Sequence, residues 1–97
     1  MEESELIIRT SLILRDNGLN DWTVAVNDTV VSDSDGSEIA GACVWSQKQI
    51  RFNRGRLNRY TPGQWRTMIY HEVAHALTPN DLRHGAEWFG KFKELDK

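Results

Sequence analysis

The sequence predicts an α+β domain: a helix near the N-terminus, a small antiparallel sheet of about three strands, and two helices in the last third, the first of which carries the motif His-Glu-x-x-His. Three observations predict it. The apolar spacing switches from blocks at positions 6–8 and 12–14, to alternation beginning at Trp22, to helical spacing from Trp65 to Ala76. An explicit helix start, "TPGQ", stands at residues 61–64. No linker, repeat or low-complexity tract divides the 97 residues, a length suited to a single domain spanning 1–97.

"SELIIRTSLILRDNG" reads as the first helix, closed by Gly18 after a polar stop. "WTVAVND" sets Trp22, Val24 and Val26 against Thr23, Ala25 and Asn27, the alternation of a half-buried strand. "IAGACVWSQKQIRFN" reads as two further strands turned at Ser46–Gln49. Between them, "DTVVSDSDGSE" offers Asp33, Asp35 and Glu38 but not the spacing of a calcium loop, so its Ser, Asp and Gly residues predict a turn.

The next helix has the clearest boundaries. Thr61 is a natural N-cap, Pro62 suits the first helical position, and Gln64 falls where a capping box places Glu or Gln. Pro79 cannot continue the helix and biases Thr78 out of it, which predicts an end near Leu77. "HGAEWFGKFKEL" then starts a last helix with Trp88, Phe89, Phe92 and Leu95 on one side.

Composition narrows the functional classes. With 39% hydrophobic and 27% charged residues the chain reads as a soluble globular domain. No apolar run approaches the ~20 residues that cross a bilayer, so no membrane partner is expected. The lone Cys43 has no intramolecular partner and the acidic start lacks the basic region of a secretory signal, which together predict a cytoplasmic protein.

The net charge of −2 conceals an asymmetry. Residues 1–38 carry nine acidic and two basic side chains, whereas residues 39–71 carry Lys48, Arg51, Arg54, Arg56, Arg59 and Arg66 with no acid before Glu72. The basic block is either a solvated counterweight to the acidic N-terminal third or a patch for DNA.

All three histidines, His71, His75 and His84, fall within fourteen positions. On a helix, Trp65, Ile69, Val73 and Ala76 share an apolar face, and His71 and His75, one turn apart on its flank, point to one spot. Two imidazoles so placed supply half of a tetrahedral zinc shell without rearrangement of the chain. Glu72 projects between the histidines and the buried face, where a general base is needed. A catalytic zinc takes a third protein ligand. His84 is the best candidate, with Asp81 and Glu87 as rivals. Trp22, Trp45, Trp65 and Trp88 read as packing residues, and Cys43 as a small buried one.

"HEVAHAL…HGAEW", together with "AGACVWSQKQIRFN" upstream, resembles the SprT-like metallopeptidases, the family that includes Spartan. Its signature is HExxH followed by a third histidine in an HG-x-x-aromatic segment. The resemblance covers about residues 39–92. It implies a zincin-like fold, Zn2+ held by His71, His75 and His84, and Glu72 as catalytic acid/base. It further implies a protein or peptide substrate and, in relatives with added segments, an association with DNA; here the DNA expectation rests on the basic block alone. The expected product is a monomeric zinc endopeptidase in minimal form. Its substrate would lie extended along the strand edge of 39–46 or 49–54 and be read with little sequence preference. The sequence singles out no oxyanion donor: Tyr60, Tyr70 and Arg83 could serve, but each reads more readily as structural or solvent-facing. A DNA-binding module with a non-catalytic zinc, and a zinc hydrolase of cell-wall peptides, are the competing expectations.

Overall fold

In the computed structural model, which describes residues 1–81 and 83–96, the chain opens with helix α1 at Glu3–Asp16. Leu6, Thr10 and Leu14 recur at helical spacing and face inward. Thr10 satisfies its own hydroxyl by donating to the Leu6 carbonyl at 2.7 Å. The predicted glycine stop is a complete Schellman motif: Gly18 adopts φ 80°, its amide donates to the Arg15 carbonyl, and the Leu19 amide donates to the Leu14 carbonyl.

Three strands follow: β1 at Thr23–Asn27, β2 at Gly41–Val44 and β3 at Gln49–Asn53. A 3-10 turn at Trp45–Gln47 and Lys48 in the left-handed region (φ 49°) reverse the chain between β2 and β3. These two strands pair antiparallel, with Cys43 opposite Ile50 and Gly41 opposite Phe52. The sheet order is β1-β3-β2, and β1 runs parallel to β3, with Val24 beside Ile50 and Val26 beside Phe52.

The sheet is therefore mixed where a wholly antiparallel one was expected. The segment 28–40 carries the chain from β1 past the place that β3 later fills, so β3 enters between its two predecessors. Alternation reports which side chains face the core and is silent on which strand lies alongside and in which direction. Because β3 is central, both of its edges are occupied, so the expected open edge at 49–54 is corrected: of the two segments, only β2, within 39–46, is an edge strand.

Helix α2 spans Pro62–Leu77 and begins with the full capping box: the Gln64 amide donates to the Thr61 hydroxyl, and the Thr61 amide donates to the Gln64 side-chain oxygen. At its far end Thr78 is buried and donates from its hydroxyl to the Ala74 carbonyl at 2.7 Å, so the helix closes before Pro79. Trp65, Ile69, Val73 and Ala76 bury together, as their spacing predicts, against Phe52 and Ile50 of the sheet and Leu6 and Leu14 of α1. Trp65 is fully buried; Phe52 and Tyr60 meet its ring edge to face at centroid distances of 5.8 and 5.4 Å.

Helix α3, Ala86–Leu95, packs on α2. Trp88 is its buried anchor and stacks on Phe92, whereas Phe89 is 52% exposed and stands outside the predicted apolar face, beneath the Lys93 ammonium. No helix among the described residues is long and apolar enough to cross a membrane.

The basic block meets the acidic N-terminal third. Lys48 pairs with Asp21, Arg54 with Glu3 (2.9 Å) and Asp28, and Arg56 with Glu38 (3.3 Å). Arg51 is held by the side-chain oxygens of Gln47 and Gln49, and Arg66 by the Tyr70 hydroxyl. Three of the six cations are thus neutralised within the fold, and the charge asymmetry along the sequence reads in space as ion pairs between its thirds.

Candidate metal centre

Three segments converge on one cleft of about 380 Å³: the flank of α2 with His71, Glu72 and His75, the loop after Pro79 with His84, and β2 with Gly41 and Cys43. Ser32, Ser34 and Ile39, from the segment between β1 and β2, close its outer side. The one-turn spacing of His71 and His75 sets their ring centroids 4.9 Å apart, and His84 comes to 4.7 and 5.0 Å from the two.

Nε2 of His84 lies 3.2 Å from Nε2 of His71 and 3.2 Å from Nε2 of His75. Two nitrogens at ~2.0–2.1 Å from a tetrahedral ion stand about 3.3 Å apart. The two distances from His84 match that value, and the three ligand atoms lie within 4.8 Å of one another, close enough to share a metal ion. Of the rivals for the third position, Asp81 turns its carboxylate to the amides of Gly85 and Trp88, and Glu87 is exposed on α3.

The electrostatics suit the same use. Burial, then the neighbouring imidazoles, bring His71 down to about 4; burial and His84, opposed by Asp81, do the same for His75. Both are neutral at pH 7, the form in which a ring nitrogen offers its lone pair. Glu72 is 8% exposed, and burial pushes its carboxyl up to about 8. The low-dielectric pocket disfavours its charge, and a cation in the cleft would restore it. Cys43 is pushed up to about 12 by burial and by Glu72, and the group of side chains close enough to share an ion consists of the three histidines without it.

Two indoles hold the histidines from behind, a role the packing assignment of the tryptophans did not contain. Trp45 Nε1 donates to the His75 carbonyl at 2.9 Å, and Trp88 Nε1 to the His71 carbonyl at 3.2 Å. Trp88 also lies against all three imidazoles, with centroids at 4.5–5.4 Å. Its offset of four from His84 was the one sequence signal, since a helix starting at Ala86 returns that ring towards the loop. The Tyr60 and Tyr70 hydroxyls accept from Arg56 and Arg66, and neither they nor Arg83 line the cleft, which agrees with their structural reading and leaves them out of the oxyanion site. Cys43 is half-buried on the cleft wall and is not a sealed core residue.

An α+β domain with three converging imidazoles and a buried carboxyl beside them is thereby defined. A model of the SprT-like family matches residues 18–97. The chain belongs to the SprT-like family. Among solved structures it resembles the crystal structure of the metallopeptidase zymogen of Methanocaldococcus jannaschii jannalysin, at 12% identity and a TM-score of 0.65, covering 97% of this chain and 81% of that one. At that identity the likeness is one of fold, and the fold is zincin-like. No curated protein matches the chain.

Proposed function

We propose that residues 1–97 form one zinc-dependent endopeptidase domain in which His71, His75 and His84 hold Zn2+ and Glu72 is the catalytic acid/base. The observation that carries this reading is the convergence of three imidazoles, Nε2 of His84 lying 3.2 Å from Nε2 of both His71 and His75, beside a buried carboxyl. Family membership and a fold shared with a metallopeptidase zymogen support it. So does α1: although it lies before the matched residues 18–97, Leu6 and Leu14 belong to the same buried cluster as Trp65.

Zinc held by His71, His75 and His84 would supply a Lewis acid to polarise a peptide carbonyl and bring the pKa of water towards ~7. Glu72, kept ionised by the cation, would take the proton from the attacking water and deliver it to the departing amine. The edge of β2 borders the cleft and offers unpaired backbone groups to an extended peptide. Backbone pairing carries little side-chain information, so broad sequence tolerance follows.

The test is metal analysis of the purified protein alongside casein hydrolysis by the parent and Glu72→Gln, with and without single-stranded DNA. The reading expects one zinc per chain in both proteins and hydrolysis by the parent only. Full turnover by Glu72→Gln, or a parent that binds no zinc, would overturn it. Stimulation by DNA would locate a role for Arg51, Arg59 and Arg66, the block's cations outside ion pairs among the described residues.

A further inference from the structure

The loop that delivers His84 is fastened by a side chain the proposed mechanism does not use. Asp81 sits where the chain leaves α2. Its amide donates to the Thr78 carbonyl at 3.1 Å, and the Thr78 amide donates to the His75 carbonyl at 3.1 Å. Its carboxylate reaches forward: Oδ1 accepts from the Gly85 amide at 3.3 Å and Oδ2 from the Trp88 amide at 3.0 Å.

Trp88 is the third residue of α3, and its amide is one that an N-cap side chain ordinarily satisfies. The residue at the cap, Gly85, has no side chain to do so. Asp81 performs that task from four positions upstream, and the space it uses explains the glycine. A Cβ added at Gly85 would lie 2.7 Å from Oδ2 and 2.8 Å from Oδ1 of Asp81. Its backbone there is extended (φ −81°, ψ −170°), so the requirement for glycine is steric and not conformational.

We propose that Asp81 is a positioning residue for the metal centre: its carboxylate closes the 81–88 loop, with Gly85 kept bare to admit it, and so fixes His84 and Trp88 against His71 and His75. This role presupposes the proposed binding of zinc by the three histidines. Both amides held by Asp81 flank the elements that matter. Gly85 follows His84 directly, and Trp88 supplies the ring against all three imidazoles and the indole bond to the His71 carbonyl. Releasing the carboxylate frees a third ligand from a shell in which the other two are anchored on α2. The centre would then lose affinity and defined geometry while the core around Trp65 stays intact.

The experiment compares the parent with Asp81→Ala, Asp81→Asn, Gly85→Ala and the double variant Asp81→Ala/Gly85→Ala. Zn2+ affinity is measured by chelator competition, Co2+ absorption reports the coordination geometry, and amide hydrogen exchange at Gly85 and Trp88 is followed in the metal-free proteins. Asp81→Ala is expected to weaken Zn2+ binding about 10–100-fold, the usual consequence of losing a group that orients a ligand. Asp81→Asn, which keeps one acceptor oxygen, falls between it and the parent.

Gly85→Ala weakens binding in the parent background and adds less than about twofold once Asp81 is gone, because the collision is with that carboxylate. Exchange at both amides accelerates in Asp81→Ala, while the thermal midpoint of the metal-free protein falls only by the several degrees that loss of one helix cap costs and unfolding stays cooperative. Parental Zn2+ affinity and Co2+ spectrum in Asp81→Ala would overturn the proposal, as would an equal Gly85→Ala penalty in both backgrounds. A parent that binds no Zn2+, with the amides still deprotected by Asp81→Ala, would sink the zinc reading and leave the loop closure standing.

Discussion

Glu72→Gln in the metal-free protein isolates the energetic consequence of placing a carboxyl in this pocket. Burial raises its pKa from the ordinary 4.5 to about 8. Below pH 4.5 the carboxyl is protonated in both the folded and the unfolded chain and titration contributes nothing. Between pH 4.5 and 8 only the unfolded chain ionises, so the folded state of the parent loses stability as pH rises.

Glutamine fills the same space and never titrates. The stability of Glu72→Gln relative to the parent should therefore grow by up to ~1.4 kcal/mol per pH unit, an upper limit of ~4 kcal/mol at pH 8 and about half that if water reaches the pocket. Against a domain stability of ~5–15 kcal/mol this is readily measured. The assay is urea unfolding of both proteins in chelator at pH 5, 6, 7 and 8. Titration of the histidines is common to both and cancels to first order. With zinc bound, the cation favours the carboxylate and the margin should shrink or reverse. A stability difference independent of pH in the metal-free state would refute the reasoning, since it would mean that Glu72 ionises in the fold as freely as in the unfolded chain.

Two further outcomes follow from the same structure. Trp65→Ala should cost about 3–5 kcal/mol in urea unfolding, because it empties a fully buried site bounded by Phe52 and Tyr60; a loss below about 1 kcal/mol would deny Trp65 its place at the centre of the core. The metal-free protein should also lose stability as pH falls from 6.5 towards about 4, because the unfolded chain protonates His71 and His75 before the folded one can; His71→Ala/His75→Ala should flatten that acid limb, and an unchanged limb would count against the depressed histidines.

Much of this was legible from local chemistry. The α2 boundaries follow from Thr61, Pro62, Gln64 and Pro79, residues whose backbone preferences act within one turn and need no tertiary knowledge. The inward set Trp65, Ile69, Val73 and Ala76 follows from helical geometry alone, and so does the shared direction of His71 and His75. What escaped depends on chain path, although His84, carried back by the loop after Pro79, was anticipated. The parallel pairing of β1 with β3 is decided by how 28–40 travels, and a turn-rich segment reads the same whichever way it crosses. Ser32 and Ser34 reach the cleft through that same path. Asp81 was legible as a carboxylate near the histidines and therefore as a rival ligand; its engagement with Gly85 and Trp88 becomes visible only when the loop is folded. For Arg54 and Arg56 the counterweight reading holds over the DNA patch, but their individual partners, Glu3, Asp28 and Glu38, lie 18 or more positions away and could not be named from the sequence.

The most direct measurement is X-ray absorption at the zinc edge of the loaded protein. The account predicts four light-atom ligands at about 2.0–2.1 Å with the scattering signature of three imidazoles, and no sulfur. A sulfur shell near ~2.3 Å, which would bring in Cys43, or a signature of two imidazoles or fewer, would contradict the convergence of His71, His75 and His84 on one ion.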